Sequence, residues 1–234
     1  MFFYATVPAG VGRQASESDV VQQLPRGRHR LSREQVLASQ RGRMLAAMAE
    51  AVAEKGYVRT AVADVIERAG VSRETFYEHF SDKEDCFLAA YDTGVEALLE
   101  VMGDAVAGSR AGPEKRLDRV LSAYFAGLAA EPAFARAFLI EVYAVGPRAL
   151  ERRAELQQRF VAMMAEIFGL ESASRGSSER FACEALVAAI SSLVTSRVGA
   201  GRLDELDELR APLVGLAHRM VPASSTPRAR RARA

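Results

Sequence analysis

Six polar side chains between residues 73 and 83 have the types and the spacing needed to contact nucleic acid. They are Arg73, Glu74, Thr75, Tyr77, His79 and Lys83. A guanidinium group suits the hydrogen-bonding edge of guanine, and a carboxylate can accept a hydrogen bond from cytosine. Hydroxyl, imidazole and ammonium groups suit phosphate oxygens. The same residues would equally suit a solvated polar helix face, so their spacing alone leaves both interpretations open.

Two short helices joined by a glycine turn are predicted to hold these side chains. Thr60 is expected to cap the first helix, Gly70 supplies the left-handed residue that ends it, and Ser72 caps the second. Phe76 and Phe80 lie one turn apart and are expected to be buried, which leaves the polar residues displayed. Such a unit can place its second helix in the major groove of DNA, which is about 12 Å wide.

A longer helix is predicted to precede this pair and to complete a three-helix head. Ser32 and Gln35 form a capping box at its start, and Gly56 ends it. A second capping box over residues 81–84 opens the helix that follows the pair. The pattern therefore predicts a helix-turn-helix DNA-binding domain over residues 32–82, which we call the head.

Helical periodicity continues over residues 83–221, which we call the body. Hydrophobic residues make up 49% of the chain, there is no Trp, and strand-type alternation is scarce. Pro132 suits the first turn of one of these helices. The whole pattern predicts an all-α fold of about nine helices. Residues 1–31 are interpreted as a mobile arm that contains arginines, and residues 222–234 as a disordered basic tail.

Charge is distributed unevenly, although the net charge is only +1. Residues 26–43 carry six Arg against one acid, and the tail adds four Arg, so the rest of the chain is acidic. This pattern favours a polyanionic partner at one end. Arg28 and Arg30 of the arm are candidates to reach a DNA minor groove, although unspecific attraction to phosphate would also explain them.

Catalytic, metal-binding and membrane functions find no support in the sequence. The three histidines, His29, His79 and His218, lie far apart, and no metal-spaced Cys/His set or catalytic motif occurs. Cys86 and Cys183 are interpreted as reduced core cysteines. No signal peptide or membrane span is predicted. We therefore expect a cytoplasmic protein without enzymatic activity, cofactor or metal.

The head resembles the DNA-binding signature of the tetracycline-repressor (TetR) family. The matching residues are Gly56-Tyr57, Thr60, Val62, Asp64-Val65, Ala69-Gly70-Val71-Ser72, Thr75-Phe76-Tyr77, His79-Phe80 and Lys83-Glu84. Ala61 departs from the usual Thr or Ser, and Cys86 from the common Leu. The resemblance implies phosphate contacts by Thr60, Tyr77, His79 and Lys83. It also implies base contacts by Arg73, Glu74 and Thr75, with Ser72 at the start of the same helix.

By the same resemblance, the body would bind a small molecule and form a homodimer through its last two helices. The expected interface residues are Leu186, Ile190, Leu193, Val194, Leu209, Leu213 and Leu216, although these stripes could instead close the monomer core. The expected ligand residues are Tyr124, Phe125, Phe138, Glu141, Met163 and Met164, although an apolar stripe is more often plain core. Glu141 could face a cationic ligand or pair with an arginine such as Arg136 or Arg148, and the pairing is favoured.

The sequence thus predicts a ligand-responsive, sequence-specific DNA-binding transcriptional regulator. The commonest form of such a protein is a repressor that a small molecule of unknown identity releases from a palindromic operator. The alternative is a helical dimeric adaptor or ligand-binding protein whose head does not bind an operator.

Overall fold

The computed structural model describes residues 33–174 and 176–221, which form nine α-helices and three short 3-10 turns without any strand. The α-helices are α1 (Arg33–Lys55), α2 (Val62–Ala69), α3 (Arg73–His79), α4 (Lys83–Asp104), α5 (Pro113–Ala130), α6 (Pro132–Leu139), α7 (Pro147–Phe168), α8 (Ser178–Gly199) and α9 (Arg210–Met220). The 3-10 turns are Glu141–Ala144, Leu203–Glu205 and Asp207–Leu209. The predicted all-α fold is confirmed. The predicted arm with Arg28 and Arg30, Ser32 of the first capping box, and the tail lie outside the described residues.

Helix starts follow local chemistry in most of the chain. Pro113, Pro132 and Pro147 each stand at the beginning of a helix, where the missing N–H has no intrahelical partner to lose. Ser72 caps α3, because its hydroxyl oxygen accepts a hydrogen bond from the backbone N–H of Thr75 at 3.0 Å. The predictions for Pro132 and Ser72 are confirmed.

Two predicted caps are wrong in detail. The residue that precedes α2 is Ala61, whose N–H donates to the Asp64 carboxylate at 2.8 Å, so Thr60 does not cap this helix. Asp82 rather than Ser81 caps α4, and it accepts from the N–H of Asp85 at 2.8 Å. The N-cap of α4 therefore lies one residue later than predicted, and the Asp85 carboxylate accepts instead from the backbone N–H of Ser81 at 2.9 Å.

One apolar cluster joins the head (α1–α3) to α4 and α6 of the body. Met44, Met48 and Phe76 contribute completely buried side chains from the head. Phe87 of α4 and Phe138 of α6 pack in the same cluster with ring centroids 5.3 Å apart. Because the head shares its core with α6, a movement of that helix would be transmitted to the head.

A second apolar cluster fills the rest of the body, between α4, α5, α7, α8 and α9. Leu117 and Leu186 are fully buried there. Among the described helices, only α8 has the length and composition of a membrane span. Its Cys183, Val194 and Val198 side chains pack into this body core, and 39% of the apolar stretch is buried.

Candidate nucleic-acid interface and effector cavity

The outward face of α3 presents the side chains that the sequence singled out. Arg73 and Glu74 are exposed, and Tyr77 keeps 46% of its surface accessible. The Arg73 guanidinium lies over the Tyr77 ring, 5.4 Å from its centroid. This stacking orients a guanidinium without consuming its hydrogen-bonding capacity in an ion pair. The face can therefore offer donors and acceptors to base edges and phosphates.

The position of α3 is fixed by its buried side and by the glycine turn that precedes it. Phe76 is fully buried and contacts the Phe80 ring at 5.5 Å between centroids. Gly70 adopts φ 63°, a left-handed conformation that only glycine enters without strain, and so lets the chain turn sharply between α2 and α3. The result is a short helix displayed on a rigid support, as recognition of a groove requires.

His79 lies at the end of α3 and is only partly accessible. Its Nε2 atom is buried and has no hydrogen-bond partner among the described residues. Burial, with help from the nearby charge of Arg41, lowers the pKa of the imidazole. His79 is therefore held neutral at pH 7, and its contact with phosphate, which the sequence predicted, stays a prediction.

Thr60 does not have the accessible position that its predicted phosphate contact requires. Its side chain is only 2% exposed, and its hydroxyl donates towards the carbonyls of Ala51 at 3.2 Å and Gly56 at 2.9 Å. Ala51 lies in the last turns of α1 and Gly56 directly follows the helix, so the Thr60 side chain fastens the turn after α1 to that helix. The predicted DNA contact by Thr60 is therefore corrected: the residue closes the end of α1 instead.

Lys83 joins the start of α4 to the turn that follows α1. Its ammonium group donates to the carbonyls of Tyr57 at 2.9 Å and Thr60 at 3.0 Å, and it lies 4.0 Å from the centroid of the Tyr57 ring. Burial lowers the pKa of Lys83. Two of its three N–H donors are thus used within the head, which leaves one for the predicted contact with phosphate.

A narrow cavity lies in the body between α4, α5, α6, α7 and α8. Its volume is about 70 Å³, below the roughly 300–1,000 Å³ of typical small-molecule sites, so a ligand of that size would have to displace side chains of the wall. Most of its wall is apolar, with Leu98, Leu121, Phe160 and Ile167 among the lining residues. Four of the predicted ligand residues line it: Tyr124, Phe138, Met163 and Met164.

Two predicted ligand residues lie elsewhere. Phe125 is buried in the body core but does not line the cavity, because it follows Tyr124 and points about 100° away around α5. Glu141 lies in the 3-10 turn after α6 and also does not line the cavity. Both assignments are corrected.

Glu141 instead reaches the head. One carboxylate oxygen accepts a hydrogen bond from the backbone N–H of Tyr57 at 3.0 Å, and the other lies 3.9 Å from the guanidinium of Arg136. The favoured pairing with an arginine is thus present, but the shorter contact joins two parts of the chain that are 84 residues apart. Tyr57 is held on both sides of its backbone, since Lys83 binds its carbonyl.

Five polar residues interrupt the apolar wall of the cavity, and sequence reasoning identified only one of them, Tyr124. They are Tyr91, Tyr124, Arg153, Gln157 and Ser191. Arg153 is the only charged residue in the lining, and its guanidinium donates to the Ser191 hydroxyl at 3.1 Å. Burial raises the pKa of the Tyr124 hydroxyl to about 12, so this group keeps its proton at neutral pH. A single Arg or Tyr in a helical segment does not indicate in the sequence that its side chain lines a cavity.

The residues predicted to form the dimer interface are mostly inside the monomer. Five of the seven are buried within one chain: Leu186, Ile190, Val194, Leu209 and Leu213. Leu216 is partly buried, and Leu193 keeps 42% of its surface exposed. For the five buried residues the interface assignment is corrected, because their side chains are already packed in the body core.

Comparison with known proteins gives a family match over the head. The family described as bacterial regulatory proteins, tetR family, matches residues 44–90. The transcriptional regulator EthR of Mycolicibacterium smegmatis is 29% identical over 117 residues, which are 50% of this chain and 54% of that protein. The transcriptional activator FasR of the same organism is 31% identical over 85 residues, 36% of this chain and 38% of that protein. The chain thus spans about half or less of these curated relatives.

Solved structures extend the similarity to most of the chain. The transcriptional regulator FadR from Bacillus subtilis, whose crystal structure is a complex with stearoyl-CoA, superposes with a TM-score of 0.65 at 22% identity. The match covers 75% of this chain and 96% of that one. At this level of identity, the similarity shows a shared fold of head and body.

Proposed function

Since this chain is a member of the TetR family of transcriptional regulators, we propose that it is a cytoplasmic repressor released from a palindromic DNA operator by a small molecule. The small molecule, or effector, occupies the cavity of the body. One relative, FasR, is named an activator, and the sign of regulation depends on where the operator lies relative to the promoter. Repression follows when operator and promoter overlap.

One observation supports DNA binding above all: α3 is anchored by Phe76 and displays Arg73, Glu74 and Tyr77 outward. An anchored, exposed helix of this kind can enter the major groove without a rearrangement of the head. The alternative, an adaptor without operator binding, gives no reason for an exposed Arg73 that is stacked on Tyr77 and has no acidic partner within 4.0 Å in the described part of the chain.

The first test measures binding to DNA fragments from the region upstream of the protein's own gene, by fluorescence anisotropy at low salt. We expect specific binding by the wild type and a loss of about ten-fold or more in Arg73→Ala, because one base contact is worth about 1–3 kcal/mol. Arg202→Ala is the matched control, since Arg202 is an exposed arginine of the body that pairs with Glu205. Failure to bind any upstream fragment would favour the adaptor.

The proposed homodimer uses the exposed side of α8 rather than its buried stripe. Phe181 keeps 68% of its surface exposed, and Ala188, Ser192 and Ser196 follow as exposed small side chains. Small residues allow a second helix to approach closely, and two-fold pairing would bury Phe181 against the α8 of the second copy. Such a dimer can place two copies of α3 about 34–36 Å apart, one turn of DNA.

We expect a dimer at micromolar concentration and a shift to monomer in Ala188→Glu, because a carboxylate in an apolar interface is left without a partner. Sedimentation velocity measures both. Ala162→Glu is the control, since Ala162 is an exposed alanine of α7. A monomeric wild type would contradict the proposed interface.

The apolar wall of the cavity supports an effector with a long hydrocarbon chain. The methionines Met102, Met163 and Met164 can repack around chains of different shape. The stearoyl-CoA bound to FadR of Bacillus subtilis, a protein with the same fold, is a molecule of this class. We propose a long-chain acyl compound as the effector of this chain.

A further inference from the structure

The cavity contains one positive charge and no negative one. Arg153, on α7, is the only charged residue among those that line it. Its guanidinium donates to the Ser191 hydroxyl at 3.1 Å and lies 5.0 Å from the centroid of the Tyr143 ring. Within the described ranges, no carboxylate oxygen lies within 4.0 Å of it. Its neighbours Arg152 and Arg159, by contrast, pair with Asp92 and Glu96.

A second polar group of the cavity is unsatisfied. Tyr91 is 2% exposed and lines the cavity, and its hydroxyl is buried without a hydrogen-bond partner in the described part of the chain. A buried hydroxyl left unpaired costs about 1–3 kcal/mol. Burial raises the pKa of Tyr91, while the charge of Arg153 acts in the opposite direction on both Tyr91 and Tyr124. The three groups are thus electrostatic neighbours, and both hydroxyls remain protonated donors.

These observations describe the polar end of an otherwise apolar site. A guanidinium and two phenolic O–H groups are donors, so the complementary ligand group is rich in acceptor oxygens. Arg153 would repel a cationic ligand, and the cavity lining offers no carboxylate to pair with it. A purely hydrocarbon ligand would leave the Tyr91 hydroxyl without a partner.

We propose that the cavity binds an amphipathic acid, with its hydrocarbon chain among the apolar residues and its anionic oxygen head group against Arg153 and the Tyr91 hydroxyl. This inference rests on the effector site of the proposed function and names the chemistry of its head group. A free fatty acid carries such a group as a carboxylate, and an acyl-CoA carries it as phosphates. Arg153 is the specificity-determining residue in either case.

The test measures binding to the full chain without DNA, by isothermal titration calorimetry. The probes are palmitate, palmitoyl-CoA and hexadecanol, which share a chain length and differ in the head group. The variants are Arg153→Gln and Tyr91→Phe. The matched control is Arg152→Gln, since Arg152 is the adjacent arginine of α7 and pairs with Asp92 outside the cavity lining.

We expect Arg153→Gln to weaken binding of the anionic probe by about ten-fold or more. Tyr91→Phe should weaken it by a smaller factor, and hexadecanol should bind weakly to all proteins. If Arg153→Gln weakens the binding of palmitate, the ligand is a free acid. If it weakens the binding of palmitoyl-CoA alone, the ligand is the thioester with its phosphates. Equal binding by Arg153→Gln and the wild type, preference for hexadecanol, or binding of no probe would each overturn the proposal. Because no DNA is present, failure of operator binding would leave this result unaffected.

Discussion

Replacement of Gly94 by alanine is expected to lower the stability of the protein by about 3 kcal/mol. Gly94 lies in the middle of α4, where the ring of Phe134 from α6 packs directly on it. A Cβ atom at this position would lie 1.4 Å from the Cε2 atom of Phe134 and 2.1 Å from its Cζ atom. Phe134 cannot move aside freely, because its ring packs edge-on against Phe138 with centroids 4.3 Å apart. The Phe134 ring or one of the two helices must therefore shift.

Gly103→Ala is the matched control, since Gly103 lies in the same helix and a Cβ there would meet no atom within 4 Å. Alanine is the better helix former, so this change should raise stability by about 0.5–1 kcal/mol. Thermal unfolding followed by circular dichroism would show the melting temperature of Gly94→Ala about 6–12 °C lower. The double variant Gly94→Ala with Phe134→Leu should recover part of the loss. Equal melting temperatures for Gly94→Ala and the wild type would contradict the close approach.

The position of α3 was predictable because its signals are local. Gly70, Ser72 and Phe76 lie within seven residues, and each determines the conformation or burial of its immediate neighbours. The same is true of the proline residues that begin α5, α6 and α7. Such features depend on backbone geometry and helix periodicity, which a single sequence displays directly.

The roles of Thr60 and Glu141 depend on tertiary contacts and could not be predicted in this way. A threonine before a helix normally caps it, but the Thr60 hydroxyl instead donates to the carbonyls of Ala51 and Gly56. Glu141 finds its partner 84 residues away. A charged residue in an apolar stretch indicates a specific polar contact, but the identity of its partner depends on the tertiary fold.

Prediction of the dimer interface and of the cavity from the sequence was limited for a different reason. An apolar stripe on a helix predicts burial, and burial is what Leu186 and Leu213 show. The stripe does not distinguish a monomer core from a dimer interface, because both exclude water equally. Likewise, Tyr124 lines the cavity and the adjacent Phe125 does not, a difference of one residue in helix phase that composition does not resolve.

Contacts around α6 provide a physical route by which the cavity could control the head. Phe138 lines the cavity, and its ring contacts Phe87 and Tyr91 of α4 at 5.3 Å between centroids. One turn further along the chain, Glu141 accepts the hydrogen bond of the Tyr57 N–H. A ligand that displaces Phe138 would therefore also displace the carboxylate that holds the turn after α1. Coupling of this kind requires a contact that differs between the two states.

Glu141→Ala is expected to uncouple the effector from DNA binding. Removal of the carboxylate frees the Tyr57 N–H, so hydrogen exchange at this amide should become faster even without ligand. The ratio of operator Kd with and without a saturating effector, typically about 5–150 for such coupling, should fall towards one. Affinity for the effector should change little in the absence of DNA, because Glu141 does not line the cavity.

Two further variants distinguish a lost hydrogen bond from a lost charge. Glu141→Gln keeps an oxygen that can accept from Tyr57 and should retain part of the coupling, with slow exchange at the Tyr57 amide. Glu100→Ala, at an exposed position of α4, should behave as the wild type. Unchanged exchange at Tyr57 together with an unchanged Kd ratio in Glu141→Ala would show that the head and the cavity communicate by another route. Faster exchange with an intact ratio would reduce Glu141 to a structural support of the turn, because the hydrogen bond would then be equally present in the bound and free states.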